Sequence, residues 1–274
     1  MVNDKMKYVI DNDLHIHSKI SLCSNDPLQT NERILNYAID NELKTICLTD
    51  HFWDEKVKYF DLIDFYVNQN YAHVKASKPL PQTDKIKFLF GCETELTKDL
   101  TLGISPDRYG YFNFIIIPTT HFHMKGFTID ENVVNPEDKA KYWLDRFNAV
   151  LDMDLPFHKI GLAHLTCRLI DRDREKYLQV LESIPENDMI DVFKKASDRG
   201  VGIELNGSDM NFADSEADVV LRPYKVAKSV GCKFYCGSDA HHPAELDRAK
   251  KLFQRAVDFL QLTEDDKFIL RGNN

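Results

Sequence analysis

Residues 11–20, DNDLHIHSKI, place two histidines one residue apart at the end of a short apolar run. In a β-strand, alternate residues point to the same face, so His15 and His17 would converge on one point while Leu14 and Ile16 face away from it. Neutral imidazole nitrogens suit zinc or another transition metal. A single H-x-H pair more often marks surface or hydrogen-bonded histidines than a metal site. The interpretation of this stretch therefore depends on what the rest of the chain places beside it.

Six other short runs are rich in β-branched or aromatic residues and resemble the strand that leads into these histidines. The seven predicted strands are KYVIDNDL (7–14), KTICLT (44–49), KIKFLFGCE (85–93), YFNFIIIP (111–118), HKIGLAH (158–164), GVGIEL (200–205) and CKFYCGS (232–238). Helical patterns lie between most of them, including FDLIDFYVNQNYAHVKA (60–76) and a pattern with Pro136 near its first position. This alternation predicts an α/β fold of parallel strands joined by helical crossovers. Because no glycine-rich phosphate loop follows the first strand, the pattern favours a closed TIM-like barrel over a doubly wound sheet.

Composition and charge limit the class of protein. The 274 residues contain no linker rich in proline, glycine or serine, so we expect one domain over residues 1–274, in which 263–274 form a short helix capped by Thr263 and a tail. The net charge of −9 argues against general binding to nucleic acid. We expect neither a membrane span nor a signal peptide, and the six cysteines, which form no C-x-x-C pair, predict reduced thiols in a cytoplasmic protein. The oligomeric state is left open.

Polar residues concentrate at the C-terminal ends of the predicted strands, where barrel enzymes build their active sites. In strand order they are His15 and His17, Asp50 and His51, Glu93 and Glu95, His121 and His123, His164, Glu204 and Asn206, and Asp239 and His241. This set exceeds the ligands that one ion can use, so the sequence predicts two or three divalent cations. Mixed nitrogen and oxygen donors favour zinc, manganese or iron over magnesium.

Some polar residues near the strand ends are expected to support the ligands rather than to bind metal. Glu95 and Glu204 could be direct ligands or carboxylates that orient histidines. Asp13, Asp50 and His123 are predicted to have such a supporting role. The remaining histidines are interpreted as surface or structural residues: His73, His158 and His242.

The pieces DLHIHS, LTDH, GCE, TTHFH, AHL and GSDAHHP occur in this order between residues 13 and 243. Together they resemble the polymerase and histidinol phosphatase (PHP) family of metal-dependent phosphoesterases. The resemblance implies a distorted seven-stranded (β/α)7 barrel with a trinuclear metal site. The implied ligands of the first metal are His15, His17, Glu93 and Asp239. Those of the second are Glu93, as a bridge, with His121 and His164, and those of the third include His51 and His241.

The chain departs from the family pattern at the third metal. Histidinol phosphatases supply another histidine about six residues after the H-x-H, where this chain offers Cys23, Asn25 or Asp26. We predict Asp26 as the ligand, because it is the best oxygen donor of the three.

The implied chemistry is in-line attack on phosphorus by a hydroxide that bridges two cations. Glu93 and Asp239 are the predicted catalytic residues, and either Asp239 or a metal-bound water would pass a proton to the leaving group. The candidate cations for the substrate phosphate are Arg168 and Lys19, followed by Lys125 and Arg222.

The leading hypothesis is a phosphatase for a small phosphorylated metabolite, with histidinol phosphate as one candidate. Three alternatives remain open: a phosphodiesterase or exonuclease, a metal-dependent amidohydrolase, and a non-catalytic metal-binding regulatory module.

Overall fold

Nine short strands account for the seven predicted strand regions among residues 6–24 and 26–270, which the computed structural model describes. The third region contains two strands, and a further short strand at His51–Phe52 follows the second region. The strands are β1 (Asn12–Ile16), β2 (Thr45–Leu48), β3 (His51–Phe52), β4 (Lys87–Phe90), β5 (Cys92–Thr94), β6 (Ile115–Pro118), β7 (Ile160–Ala163), β8 (Gly202–Asn206) and β9 (Lys233–Gly237).

The strands form two parallel sheets, in the orders β1-β2-β4 and β3-β5-β6-β7-β8-β9. The chain passes from the first sheet to the second between β4 and β5, at Gly91, where an added Cβ would lie 2.5 Å from the Phe114 carbonyl oxygen. Asp239 N, two residues after the end of β9, donates to His15 O in β1 at 2.7 Å. The α/β class and the parallel strands are confirmed, whereas the closed seven-stranded barrel stays a prediction.

Nine α-helices connect the strands within the described residues. They are α1 (Asn31–Asp40), α2 (Asp64–Val67), α3 (Tyr71–Lys75), α4 (Pro136–Asp152), α5 (Arg174–Ser183), α6 (Glu186–Arg199), α7 (Ala217–Val220), α8 (Arg222–Ser229) and α9 (Pro243–Leu260). Side chains of Thr30 and Asn135 accept backbone hydrogen bonds at the starts of α1 and α4, and Gly200 ends α6 in a left-handed conformation. None of the described helices is long and apolar enough to span a membrane.

The buried side chains divide into a large cluster and a smaller inner one. The large cluster packs the helices against the strands. The inner cluster draws on β1, β2, β4, β6, β7, β9 and the C-terminal segment, and comprises Leu14, Cys47, Leu89, Phe114, Ile116, Ala163, Tyr235 and Phe268. Thr263 caps a 3-10 turn at Glu264–Asp266, after which Phe268 N donates to Phe234 O at 2.8 Å. Residues 271–274 of the predicted tail lie outside the described residues.

Candidate metal centre

The polar residues predicted from the strand ends come together at one edge of the parallel strands. His15 is the penultimate residue of β1, Glu93 is the middle residue of β5, and His51 begins β3. The others lie one to four residues after the ends of β6, β7 and β9, and are His121, His164, Asp239 and His241. Asp239 and His241 are half-buried, and the other side chains of this set are buried. Parallel strands thus deliver residues from the whole chain to one place.

Glu93 lies at the centre of this arrangement. Its Oε2 atom is 3.0 Å from His51 Nδ1, 3.3 Å from His17 Nε2 and 3.5 Å from His15 Nε2. Its Oε1 atom is 3.4 Å from His164 Nε2. The residue is 1% exposed, yet neither oxygen has a partner with hydrogen-bond geometry, and the same is true of Nδ1 in His17 and His51. Because buried polar atoms are costly without partners, this pattern fits the binding of cations between the side chains.

Four groups of potential metal donors lie at this edge, and within each group the donor atoms lie within 4.8 Å of one another. One of them is His15, His164 and Glu204, and the other three surround Glu93. The first donor group is His15, His17, Glu93 and Asp239. The second donor group is Glu93, His121 and His164. The third donor group is His17, Cys23, His51 and His241. Imidazole nitrogen, carboxylate oxygen and thiol sulfur are donors that zinc and transition metals accept, so the residues present fit such ions.

Asp26, the predicted ligand of the third metal, is not brought into any donor group. Its carboxylate accepts a hydrogen bond from Leu28 N at 2.8 Å and lies 3.5 Å from His242 Nδ1. The preceding turn is tightened by a hydrogen bond from Ser24 N to Ser21 O, and it directs Cys23 to the cluster while carrying Asp26 past it. Asn25, the third alternative, lies outside the described residues.

Two carboxylates lie where they can orient imidazoles. His15 Nδ1 donates to Glu204 Oε1 at 2.6 Å, and His121 Nδ1 donates to Glu95 Oε2 at 2.8 Å. Such contacts fix the ring and leave Nε2 free as a metal donor. Asn206 has a similar position, with its Nδ2 atom 3.2 Å from His164 Nδ1.

Asp13, Asp50 and His123 do not orient a ligand imidazole in this way. Asp13 accepts hydrogen bonds from Ser238 N and Tyr37 Oη, and burial raises its pKa to about 6. Asp50 accepts two bonds from Ser18. These carboxylates fasten the backbone near the histidines. The ring of His123 lies 5.5 Å from that of His121, but the residue is exposed and belongs to none of the donor groups.

The acidic and basic side chains of the cluster stabilise each other's charged forms. Burial opposes ionisation of Glu93, but His51 and His15 hold its pKa well below the usual range. Burial likewise opposes protonation of His15, but Glu204, Asp239 and Glu93 raise its pKa to about 10. Burial acts against the Cys23 thiolate, yet His51 and His241 lower the pKa of the thiol to about 4. The anions therefore attract positive charge to this site, whether as protons or as metal ions.

A cavity of about 350 Å³ opens over the donor groups. Glu93, Asp239 and Cys23 line its polar side, and its apolar side is formed by Ile63, Phe65, Met124 and Leu169. The four cations predicted to bind phosphate are absent from its lining. Lys19, Lys125 and Arg168 are exposed, and Arg222 donates to carbonyl oxygens at the end of α5. Among the described residues, no lysine or arginine lines the cavity.

The model of the PHP domain family matches residues 13–208. The chain belongs to the PHP domain family. The match spans the strands from β1 to β8 and includes seven of the candidate ligands, so the ordered motifs that suggested the family are confirmed as a PHP domain.

Two solved structures resemble this PHP domain over most of its length. Histidinol phosphate phosphatase from Lactococcus lactis subsp. lactis, described in complex with zinc, L-histidinol and phosphate, is 17% identical; the alignment covers 91% of this chain and 94% of that one, with a TM-score of 0.54. A proposed histidinol phosphatase from Listeria monocytogenes is 12% identical, with coverages of 88% and 99% and a TM-score of 0.63. At these identities the likeness shows the fold alone. A comparison with curated proteins gives no match.

Sequence reasoning missed the apolar wall of the PHP domain's cavity and one buried arginine. Met124 lies in a loop and Phe65 in a short helix, and a helical pattern does not show that a residue borders the strand ends, so nothing in the sequence links the two to the site. Arg146 is fully buried in α4 and donates to Leu96 O and to Thr128 O. Its signal was a charge on the core-facing side of an amphipathic helix.

Proposed function

We propose that this PHP domain is a metal-dependent phosphatase that hydrolyses a small phosphate monoester. The supporting observation is the buried carboxylate of Glu93, which has no hydrogen-bond partner and lies among three donor groups at the floor of a cavity. Bound there, divalent cations would supply Lewis acidity toward phosphoryl oxygens and lower the pKa of water toward neutrality.

The donor groups give each residue a role in the proposed reaction. The first donor group would hold one cation and the second another, with Glu93 shared between them. Glu204 and Glu95 would keep the imidazoles of His15 and His121 in the orientation that binds metal. Glu93 and Asp239 also line the cavity, so both would contact the region where phosphate binds. We propose zinc, manganese or iron as the metals, and the zinc described for the Lactococcus protein supports the first.

The cavity favours a compact substrate with an apolar or flat organic group. Its volume of about 350 Å³ is at the small end of ligand pockets, which span roughly 300–1,000 Å³. Ile63, Phe65 and Met124 form an apolar wall beside the donor groups. An imidazole or phenyl ring would fit against this wall, so histidinol phosphate stays a candidate. The charge of −9 makes an oligonucleotide a less suitable partner.

A comparison of three substrates tests the proposal. Protein reconstituted with zinc or manganese is assayed with histidinol phosphate, p-nitrophenyl phosphate and bis-p-nitrophenyl phosphate. We expect hydrolysis of the monoesters, abolished by Glu93→Gln and retained in a variant at the exposed Glu182, E182Q. Preference for the diester would favour a nuclease. No hydrolysis of any substrate by fully metal-loaded protein would favour a regulatory module.

We also propose that the strands close into a seven-stranded barrel within one domain over residues 1–274. The inner cluster supports closure, because it unites side chains from six strands, and so does the hydrogen bond from His17 N to Ala240 O at 3.1 Å. We propose the cytoplasm as the compartment, supported by six cysteines that are all free.

A further inference from the structure

We propose that Cys23 is a metal ligand, and that its thiolate makes the ion held by the third donor group selective for zinc. The inference rests on the metal-binding part of the proposed function and is independent of the substrate. It concerns the one position where the sequence departs from the histidine pattern of histidinol phosphatases.

The first argument is the geometry of the third donor group. The Cys23 sulfur and one ring nitrogen each of His17, His51 and His241 all lie within 4.8 Å of one another. The rings of His17 and His241 stack at 4.2 Å, and those of His17 and His51 are 4.6 Å apart. His241 Nδ1 donates to the Asp239 carbonyl oxygen at 2.8 Å, which leaves Nε2 with a free lone pair. Buried Nδ1 atoms of His17 and His51 have no hydrogen-bond partner.

The second argument is that the turn carrying Cys23 is held firmly against the cluster. Ser24 Oγ donates to His241 O at 2.6 Å, and Leu22 N donates to Gln69 Oε1 at 3.2 Å. His73 Nε2 donates to Ile20 O at 2.7 Å on the other side of the turn. A thiol in a turn fastened at three points has a defined position, as a metal ligand requires.

The third argument separates Cys23 from the other cysteines. Cys23 is partly exposed and lines the cavity, whereas the other five are buried: Cys47, Cys92, Cys167, Cys232 and Cys236. Those five behave as small apolar residues of the core. Among the described residues, Cys23 is thus the one thiol that belongs to a donor group.

The metal preference follows from donor chemistry. His17 also belongs to the first donor group, and when it binds that ion the third ion keeps Cys23, His51 and His241. A thiolate with two imidazoles is a ligand set that zinc accepts readily, and it leaves a fourth position open for water or substrate. Manganese and magnesium prefer oxygen donors. The first and second donor groups contain only nitrogen and oxygen, so we expect them to accept manganese as well. The three sites would then differ in selectivity within one cluster.

Thiol protection in the full-length protein tests the inference without any assay of activity. Metal-free protein is treated with N-ethylmaleimide under native conditions and digested for mass spectrometry. We expect one modified residue, Cys23, and a protection of at least tenfold in rate by zinc but not by manganese. An equal rate of modification with and without zinc would overturn the proposal.

Cobalt spectroscopy and metal analysis give a second readout. Protein loaded with Co²⁺ should show a near-ultraviolet sulfur-to-cobalt charge-transfer band that is lost in Cys23→Ser. Cys23→Ala should bind one zinc ion fewer per chain, and Cys23→Asp should restore the ion without the band, with folding checked by circular dichroism. Absence of the band in the native protein would contradict the inference. Neither readout uses a phosphate ester, so the metal-binding role of Cys23 and the phosphatase activity are tested separately. If the charge-transfer band and the protection by zinc are found in a protein without phosphatase activity, the role of Cys23 is upheld and the proposed activity is rejected.

Discussion

His164 and Asp239 both hold a left-handed backbone conformation, with φ of 62° and 53°. For a residue with a Cβ this conformation costs roughly 1–2 kcal/mol. His164 follows directly after β7, and Asp239 lies two residues after the end of β9. The surrounding structure holds both backbones: His164 N donates to Glu204 Oε2, and Asp239 N donates to His15 O. The backbone strain therefore lies at two residues of the donor groups, and hydrogen bonds to Glu204 and His15 offset it.

Glu204→Gln tests the orienting role of a buried carboxylate. The amide keeps the shape of the side chain but removes the negative charge that His15 Nδ1 faces at 2.6 Å. We expect the affinity for zinc at the first donor group to fall about 10- to 100-fold, as is typical when the partner of a ligand is lost. Competition with a chromophoric chelator measures the change. The exposed Glu182→Gln is the control, and an unaltered affinity in Glu204→Gln would assign Glu204 a purely structural role.

At the scale of single residues, the predicted strand ends identify most of the metal donors, but they do not identify donors that lie in irregular turns. His15 and His17 could be placed because strand periodicity fixes the direction of alternate side chains. Cys23 and Asp26 lie in a turn without such a period, so only donor chemistry was available. It favoured Asp26, whereas the observed geometry brings Cys23 to a donor group. Arg168 is the leading phosphate candidate because it follows His164 by four residues and because arginine binds phosphate bidentately, but neither property tells which way an exposed side chain points.

Among the elements, α4 positions the loops that carry part of the centre. Arg146 projects from it, and its guanidinium donates to the carbonyl oxygens of Thr119, Leu96 and Thr128 at 2.7–2.8 Å. It also lies 3.5 Å from Glu95, the carboxylate that faces His121. One buried cation thus fastens the segments after β5 and β6 to the same helix.

Arg146→Met should destabilise the fold strongly. The change leaves several buried carbonyl oxygens and Glu95 without their partner, and loss of one member of a buried charge pair costs about 3–5 kcal/mol. Urea unfolding followed by circular dichroism measures the free energy of unfolding. Lys141→Met on the same helix is the matched control, because the Lys141 side chain is 76% exposed and should change stability little. Equal unfolding midpoints for the two variants would contradict the role of Arg146 in holding the segments after β5 and β6 to α4.

The short helix α2 supplies one wall of the cavity, and Phe65→Ala tests its part in specificity. The Phe65 ring meets His51 edge-on, with centroids 5.2 Å apart, and borders the cavity. We expect KM for phenyl phosphate to rise about tenfold, equivalent to ~1.4 kcal/mol, with a smaller change in kcat. Acetyl phosphate, which has no ring, should be affected little. Val67→Ala, at a half-exposed residue of the same helix, is the control; similar KM changes for both substrates would argue against the wall.

Element boundaries followed the sequence where capping and periodicity agree. Pro136 after Asn135 predicts the start of α4, which is found there. The pattern FDLIDFYVNQNYAHVKA suggested one helix, but the structure has α2 and α3, because the Asn70 side chain accepts from His73 N and starts a new helix. Sheet membership could not be predicted, since pairing depends on neighbours distant in sequence.

In the molecule as a whole, different kinds of side chain gather at the two ends of the strands. At the C-terminal ends, the donor groups collect acidic and imidazole side chains, and the cavity opens above them. The inner cluster lies beneath and is completed by Phe268, which is 6% exposed and whose ring lies 6.0 Å from that of Phe114. No residue is shared between the inner cluster and the donor groups. The contribution of the inner cluster to the free energy of unfolding should therefore be independent of the contribution of metal binding.

Phe268→Ala and zinc addition, combined in one thermodynamic cycle, test this separation. Removing a buried Phe side chain costs about 3–5 kcal/mol, because it leaves a cavity as well as lost apolar contact. Zinc at 100 times its dissociation constant adds about 2.7 kcal/mol for each occupied site, since it binds the folded chain alone. If the ends are independent, zinc should stabilise the native protein and Phe268→Ala by equal amounts within about 0.5 kcal/mol, and both should bind the same number of ions.

Thermal unfolding with and without zinc measures the stabilisation, and elemental analysis measures the number of ions. Ile269→Ala, at a residue 64% exposed, is the control at the neighbouring position. A variant that lost zinc along with its packing would mean that the inner cluster sets the spacing of the strand ends, so that the C-terminal segment takes part in forming the metal centre.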